Sequence, residues 1–154
     1  MAAYFCDASG IVKRYVPELG TAWVQALADP AAAHELFLAR ITRVEVTAAI
    51  TRRSRGGMLA GVSAPAILAQ FRHDAVHQYN IVEVTPALLA DAEALAETHG
   101  LRAYDAVQLA VAREVQGRRL ALSLSGITLV SADQELNAAA LAEGLPVDDP
   151  NRHP

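Results

Sequence analysis

Asp7 closes an apolar run, Tyr4-Phe5-Cys6, that can form a strand, and a hydroxyl, Ser9, follows it two residues later. In a parallel α/β sheet the carboxyl ends of strands open onto the crevice where ligands bind, so an acid there is placed for chemistry. Three further acids, Glu45, Asp105 and Asp133, sit at comparable junctions. Two of the four follow strands and two fall in the first turn of helices. Each is flanked by apolar or small residues instead of belonging to a charged face. Carboxylates supply the oxygen ligands that hard Mg²⁺ or Mn²⁺ takes. One or two such ions, a pair lying about 3.5–4 Å apart, suffice for phosphodiester hydrolysis without a histidine base. The competing account is that each acid caps a helix or meets its dipole, which stabilises by roughly 0.3–1 kcal/mol. For Glu45 or Asp133 alone the cap is the simpler account. Four such acids spread along the chain point to a metal site.

A frame must bring these positions together. The sequence predicts a strand over 3–6 and a helix from there to about residue 16, stopped by Pro17. A helix over 21–28 and a strand over 35–39 come next. Thr42 is expected to cap a helix over 43–55, which Gly56-Gly57 ends. Apolar residues at helical spacing mark another helix over 63–79. A β-branched strand over 81–84 precedes a helix that Thr85-Pro86 starts and Gly100 stops. A helix over 104–116, a strand over 127–130 and a helix over 134–143 complete the series. Residues 145–147 read as a short edge strand, and residues 148–154 as an irregular tail. Strands separated by helices imply an α/β fold, with a mostly parallel central sheet of four or five short strands flanked by helices. No repeat or linker divides the chain, so residues 1–147 form one domain.

The bulk composition agrees. At 154 residues with 53% apolar content the chain can bury a real core. A net charge of -4 excludes holding nucleic acid by bulk electrostatics. It allows a nuclease whose acids are neutralised by metal and whose basic groups are local. Lys13 is the single lysine among 13 basic residues, and the arginines that make up the rest carry a planar fork suited to phosphate. The densest basic group is Arg52, Arg53 and Arg55, together with Lys13 and Arg14; it serves RNA contact or a solvated helix end equally well. The single cysteine, Cys6, has no partner for a disulfide and reads as a small buried hydrophobe. No signal peptide is evident, and the longest uncharged stretch, 120–132, is too short to span a bilayer. The expected location is the cytoplasm.

The order Cys6-Asp7-Ala8-Ser9-Gly10, then Arg43-Val44-Glu45-Val46, then Tyr104-Asp105-Ala106-Val107-Gln108, then Val130-Ser131-Ala132-Asp133 resembles the PIN-domain ribonucleases. Within that family it is most similar to the VapC-type toxins of bacterial toxin–antitoxin pairs. The resemblance covers nearly the whole chain. It implies a Mg²⁺- or Mn²⁺-dependent endoribonuclease acting on tRNA, rRNA or mRNA. It also implies a homodimer and a small antitoxin whose tail reaches into the acidic site. Asp7, Glu45, Asp105 and Asp133 fall on the family's four acidic positions, with Asp133 as the looser ligand. Ser9 and Ser131 match its small polar positions. A PIN domain of RNA processing, outside any toxin pair, is the alternative within the family.

Other signals weigh less. His73 and His77 share a helix face, but a zinc protease motif needs Glu after the first His, where Asp74 stands; an exposed polar face is expected. A phosphoacceptor receiver domain would also place an acid at Asp7, yet it needs a second acid beside it and a late lysine. Arg102, three residues before Asp105, is placed to lean toward the site. Tyr104 is expected in the core or with a satisfied hydroxyl rather than as a base-stacking platform.

Overall fold

Side chains along β1 (Ala3–Cys6) alternate between two cores, as a strand buried on both faces must. Phe5 joins a cluster on one face of the sheet. Cys6, fully buried as expected, joins another on the opposite face. The computed structural model describes residues 1–59 and 63–154. It has five parallel strands in the order β3-β2-β1-β4-β5, the others being β2 (Glu35–Ala39), β3 (Asn80–Val82), β4 (Thr128–Val130) and β5 (Val147–Asp148). Phe5 pairs in register with Phe37 on one side and Leu129 on the other.

Helices cover both faces. On the Cys6 face lie α1 (Ala8–Ile11), α2 (Thr21–Leu27), α3 (Thr42–Arg55) and α4 (Ala64–His77), contributing Ile11, Leu27, Ile50 and Phe71. On the Phe5 face lie α5 (Pro86–His99), α6 (Ala103–Ala121) and α7 (Gln134–Ala142), contributing Leu95, Leu109 and Leu136. Each fully buried aliphatic chain contributes about 1.5–3 kcal/mol. Small residues such as Ala106, Ala110 and Ala112 let α6 lie close to the sheet. No helix among the described residues is long and apolar enough to cross a membrane.

The differences from expectation have local causes. The first helix stops at Ile11 and continues as a 3₁₀ turn, Val12–Arg14; β-branched Ile11 and Val12 and the approach of Pro17 disfavour a longer α-helix. Thr42 is not a cap, because its buried hydroxyl accepts from Gln108 Nε2 at 2.8 Å. β3 starts and ends earlier than expected, since Glu83 leaves the sheet to take a hydrogen bond from Arg40 Nε at 3.0 Å. α6 runs past Gly117 to Ala121, where buried Arg119 is tied to Glu35 at 2.9 Å and to the Ser125 carbonyl at 2.7 Å.

The tail is ordered, contrary to the irregular segment expected over 148–154. Asp148 belongs to β5, and Pro150–Arg152 form a 3₁₀ turn capped by Asp149. The His153 ring stacks on Trp23 with centroids 4.2 Å apart. Gly20 has φ +86°, and a Cβ there would stand 2.2 Å from the Pro150 carbonyl oxygen, so only glycine lets the tail seat.

Candidate functional site

Connections leave β1 in one direction toward β2 and β4 lies on its other side, so the strand order reverses between β1 and β4. Such a switch point opens a crevice at the carboxyl ends of the two strands. β1 ends at Cys6 and hands on to Asp7; β4 ends at Val130 and hands on to Ser131. A cleft of about 510 Å³ opens there, and Asp7, Glu45, Asp105 and Asp133 all line it, together with Ser9.

Asp7 is the inner anchor. Its carboxylate is buried and accepts the Ser9 hydroxyl at 2.8 and 2.9 Å, the Gly10 amide at 2.8 Å and the Ser131 hydroxyl at 2.9 Å. Gly10 makes this approach feasible, because a Cβ there would lie 2.5 Å from the Val130 carbonyl oxygen. The two serines are themselves tied down: Ser9 Oγ accepts the Ala132 amide at 2.9 Å and Ser131 Oγ the Asp133 amide at 3.1 Å. Burial pushes the Asp7 carboxyl up to about 7 against its three donors, and the nearby Glu45 charge adds to the rise.

The other acids follow as a chain of like charges. Burial raises the Glu45 carboxyl, and Asp105 raises it further, against a hydrogen bond from Gln108 Nε2 at 2.6 Å. Burial also raises Asp105, with Asp133 and Glu135 adding to it and Arg102 opposing them. Asp133 caps α7 through Oδ1, which accepts the Leu136 amide at 2.9 Å, while still lining the cleft. Capping and membership of the cleft are therefore compatible for Asp133, as they are for Asp7, whose Oδ1 caps α1. Among the described residues none of the four acids forms an ion pair.

Unpaired carboxylates sharing a crevice form an all-oxygen donor set that fits a hard divalent cation. As they stand, no three His, Cys, Asp or Glu side chains among the described residues are arranged to hold an ion.

The basic residues divide. Arg52 is exposed and lines the cleft. Arg53 lines it too but pairs with Glu18. Arg55 is exposed outside the cleft lining. Lys13 and Arg14 do not share that surface, a correction to the grouping expected from sequence. Lys13 is buried against Glu18 at 3.1 Å. Arg14 packs on the Tyr15 and Tyr79 rings and lies 3.5 Å from buried Asp74. Asp74 accordingly turns inward, while His73 and His77 stay exposed with stacked rings.

Two residues join the site that were not singled out from sequence, and a third, Tyr104, departs from its expected place. Gln108, one turn beyond Asp105 on α6, orients Glu45. Glu135 contributes charge at Asp105. Tyr104 is not in the core, and among the described residues it has no hydrogen bond: it is 59% exposed and lines the cleft. The spacing Asp105–Gln108 was the available signal for the first, since i and i+3 share a helix face.

A family model described as the PIN domain matches residues 4–142. Ribonuclease VapC3 of Pyrobaculum aerophilum is 34% identical over 120 residues, covering 75% of this chain and 86% of that protein. Among solved structures, PAE2754 from Pyrobaculum aerophilum superposes with a TM-score of 0.63 at 20% identity, covering 98% of this chain and 91% of the other. A toxin–antitoxin complex from Klebsiella pneumoniae gives 0.61 at 17% identity, with 96% and 97% covered. At such identities these two likenesses speak to fold alone.

Proposed function

Because the chain belongs to the PIN-domain family, we propose that it is an endoribonuclease that hydrolyses RNA phosphodiester bonds with Mg²⁺ or Mn²⁺. Membership in that family displaces the phosphoacceptor receiver alternative. The observation that carries the proposal is the run of four acids, Asp7, Glu45, Asp105 and Asp133, lining one cleft at the switch point without a basic partner among the described residues.

Those four side chains would hold one or two hard cations, which when bound supply positive charge at the phosphate and acidify a water molecule. The protein's own residues do the positioning. Ser9, Ser131 and the Gly10 amide hold both Asp7 oxygens, so this acid keeps one orientation. Gln108 fixes Glu45 and is itself held by Thr42. Arg52 offers a guanidinium fork to a neighbouring phosphate, two turns along α3 from Glu45. Burial raises the Asp7 carboxyl, and positive charge in the cleft would oppose that rise.

The cellular role that best suits this chemistry is that of a toxin held in check by a small antitoxin and acting as a homodimer. Its support is the VapC3 relative and the large apolar side chains left exposed, among them Leu120, Leu122 and Leu141. The test is direct. Purified protein should cleave total cellular RNA with Mn²⁺ and not with chelator, and folded Asp7→Asn protein should not cleave it. Induced expression of the wild type, but not of Asp7→Asn, should arrest growth. A folded Asp7→Asn protein that cuts as well as wild type sinks the assignment.

A further inference from the structure

We propose that the Tyr104 ring is a stacking platform for an unpaired RNA base beside the phosphodiester held at the acidic cleft, and that it biases which positions are cut. The inference rests on the ribonuclease function proposed above and adds a specificity residue to it.

Tyr104 immediately precedes Asp105 in the first turn of α6 and lines the same cleft. The other tyrosines have partners: Tyr4 meets His34 edge-on, while Tyr15 and Tyr79 bond to each other in the Asp74 cluster. Tyr104 is 59% exposed, and among the described residues it has neither a hydrogen bond nor an aromatic neighbour. Among the residues that α3 contributes to the cleft wall, Val44, Ala48 and Arg52 are spaced by four and therefore on one stripe, beside Glu45, Ala49 and Arg53. Val44 is 67% exposed. The cleft thus presents an open aromatic face and an aliphatic side chain beside the acids, with Arg52 about 12 Å farther along the helix.

Charge alone cannot hold a polyanion here. The chain carries -4 overall, and of the two arginines lining the cleft one is already paired to Glu18. Beside the charge that cations and Arg52 would supply, binding gains from a contact that does not depend on charge. Stacking of a base on an aromatic ring supplies it, and every base has a face to offer. A base inside a duplex is already stacked, so the platform favours single-stranded positions. The competing occupant is an apolar side chain of a protein partner.

Two measurements on the full chain decide it. The first follows binding in the Asp7→Asn background, using short single-stranded oligoribonucleotides with 2-aminopurine at successive positions. The expected result is fluorescence quenching at one position. Tyr104→Ala should weaken binding about 10- to 100-fold, while Tyr104→Phe and Tyr104→Trp stay near the parent. The second compares wild type with Tyr104→Ala on total RNA with Mn²⁺; KM should rise more than kcat falls, and the set of cut positions should broaden. Binding by the Ala variant within about twofold of the parent overturns the inference and leaves the ring to a protein contact. A Phe variant as weak as the Ala variant also overturns it, because the hydroxyl and not the ring would then matter. If wild type cuts RNA and Tyr104→Ala cuts the same positions with the same KM, the stacking role alone falls. If wild type neither cuts RNA nor binds it as Asp7→Asn, the ribonuclease assignment falls and the platform with it.

Discussion

Ser131 donates its hydroxyl hydrogen to Asp7 Oδ2 at 2.9 Å across 124 positions of sequence, and Ser131 Oγ in turn accepts the Asp133 amide at 3.1 Å. One buried hydroxyl therefore fastens the inner acid of the cleft to the start of the helix that carries the outer one. Ser131→Ala removes both bonds. The expected cost is about 1.5–3 kcal/mol, because a bond to a charged group is lost, or roughly 3–12 °C in melting temperature. Ser131→Thr should keep most of the stability. Thermal melts of both variants check it.

The metal-free protein should lose stability as pH rises. Burial raises the Asp7, Glu45 and Asp105 carboxyls above their unfolded values. Between the unfolded and folded values the folded chain binds more protons than the unfolded one, so stability declines with pH. For Asp7 the decline begins near 3.8 and levels off above about 7, and it amounts to at most on the order of 4 kcal/mol. Asp7→Asn should flatten this profile, melting above wild type at pH 8 in chelator but not at pH 4. Mn²⁺ at 100 times its Kd should return about 2.7 kcal/mol to wild type, roughly 5–10 °C, and little to Asp7→Asn. Melts from pH 4 to 8 with chelator or Mn²⁺ test both halves.

Gly10→Ala should be worse than its single methyl suggests. The added Cβ would meet the Val130 carbonyl oxygen at 2.5 Å, and overpacking against backbone costs about 1–3 kcal/mol. Because Val130 precedes Ser131, relief of the clash moves Ser131 off Asp7. A lower melting temperature together with RNA cleavage below that of Ser131→Ala is expected. Cleavage equal to wild type would show that the two strand ends need not approach so closely.

Gln108→Leu should leave the fold in place and loosen Glu45, whose Oε1 takes the Gln108 amide at 2.6 Å. Residues that orient metal ligands typically matter about 10- to 100-fold in affinity or activity. The readout is the Mn²⁺ concentration giving half-maximal cleavage, which should rise. An unchanged Mn²⁺ dependence would make Gln108 a packing residue only.

Arg52→Ala should weaken RNA binding and reduce its salt slope by about 0.7–1, as loss of one phosphate contact does. Arg55→Ala should change the slope little, since that side chain lies outside the cleft lining. Equal slopes for wild type and Arg52→Ala would return Arg52 to the solvated end of α3.

Much of the frame was legible because local pattern and burial coincide in it. The bounds of β1 and β2 follow from apolar runs, and Ser63 and Thr85 announce the helices they cap. Asp7 was legible for the same reason: it interrupts an apolar run where a strand must end. What escaped depends on partners distant in sequence. Nothing near Thr42 says that Gln108, 66 residues on, will claim its hydroxyl. Lys13 and Arg14 looked like surface cations until Glu18, Tyr79 and Asp74 drew them inside. Tyr104 misled in the opposite direction, since an aromatic residue at a helix start is expected to be buried or satisfied, and this one is 59% exposed.

Both margins of the sheet are cut short. β3 is three residues long and gives way to the Arg40–Glu83 pair, and β5 is two residues long and runs into Asp149-Pro150. A foreign strand extending such margins would find few backbone groups to bond, which removes the usual template for edge-to-edge aggregation. The same brevity constrains recognition. A protein that binds this chain must grip helix faces and side chains instead of adding a strand, so its affinity will be sensitive to surface substitutions and largely blind to the backbone of the sheet.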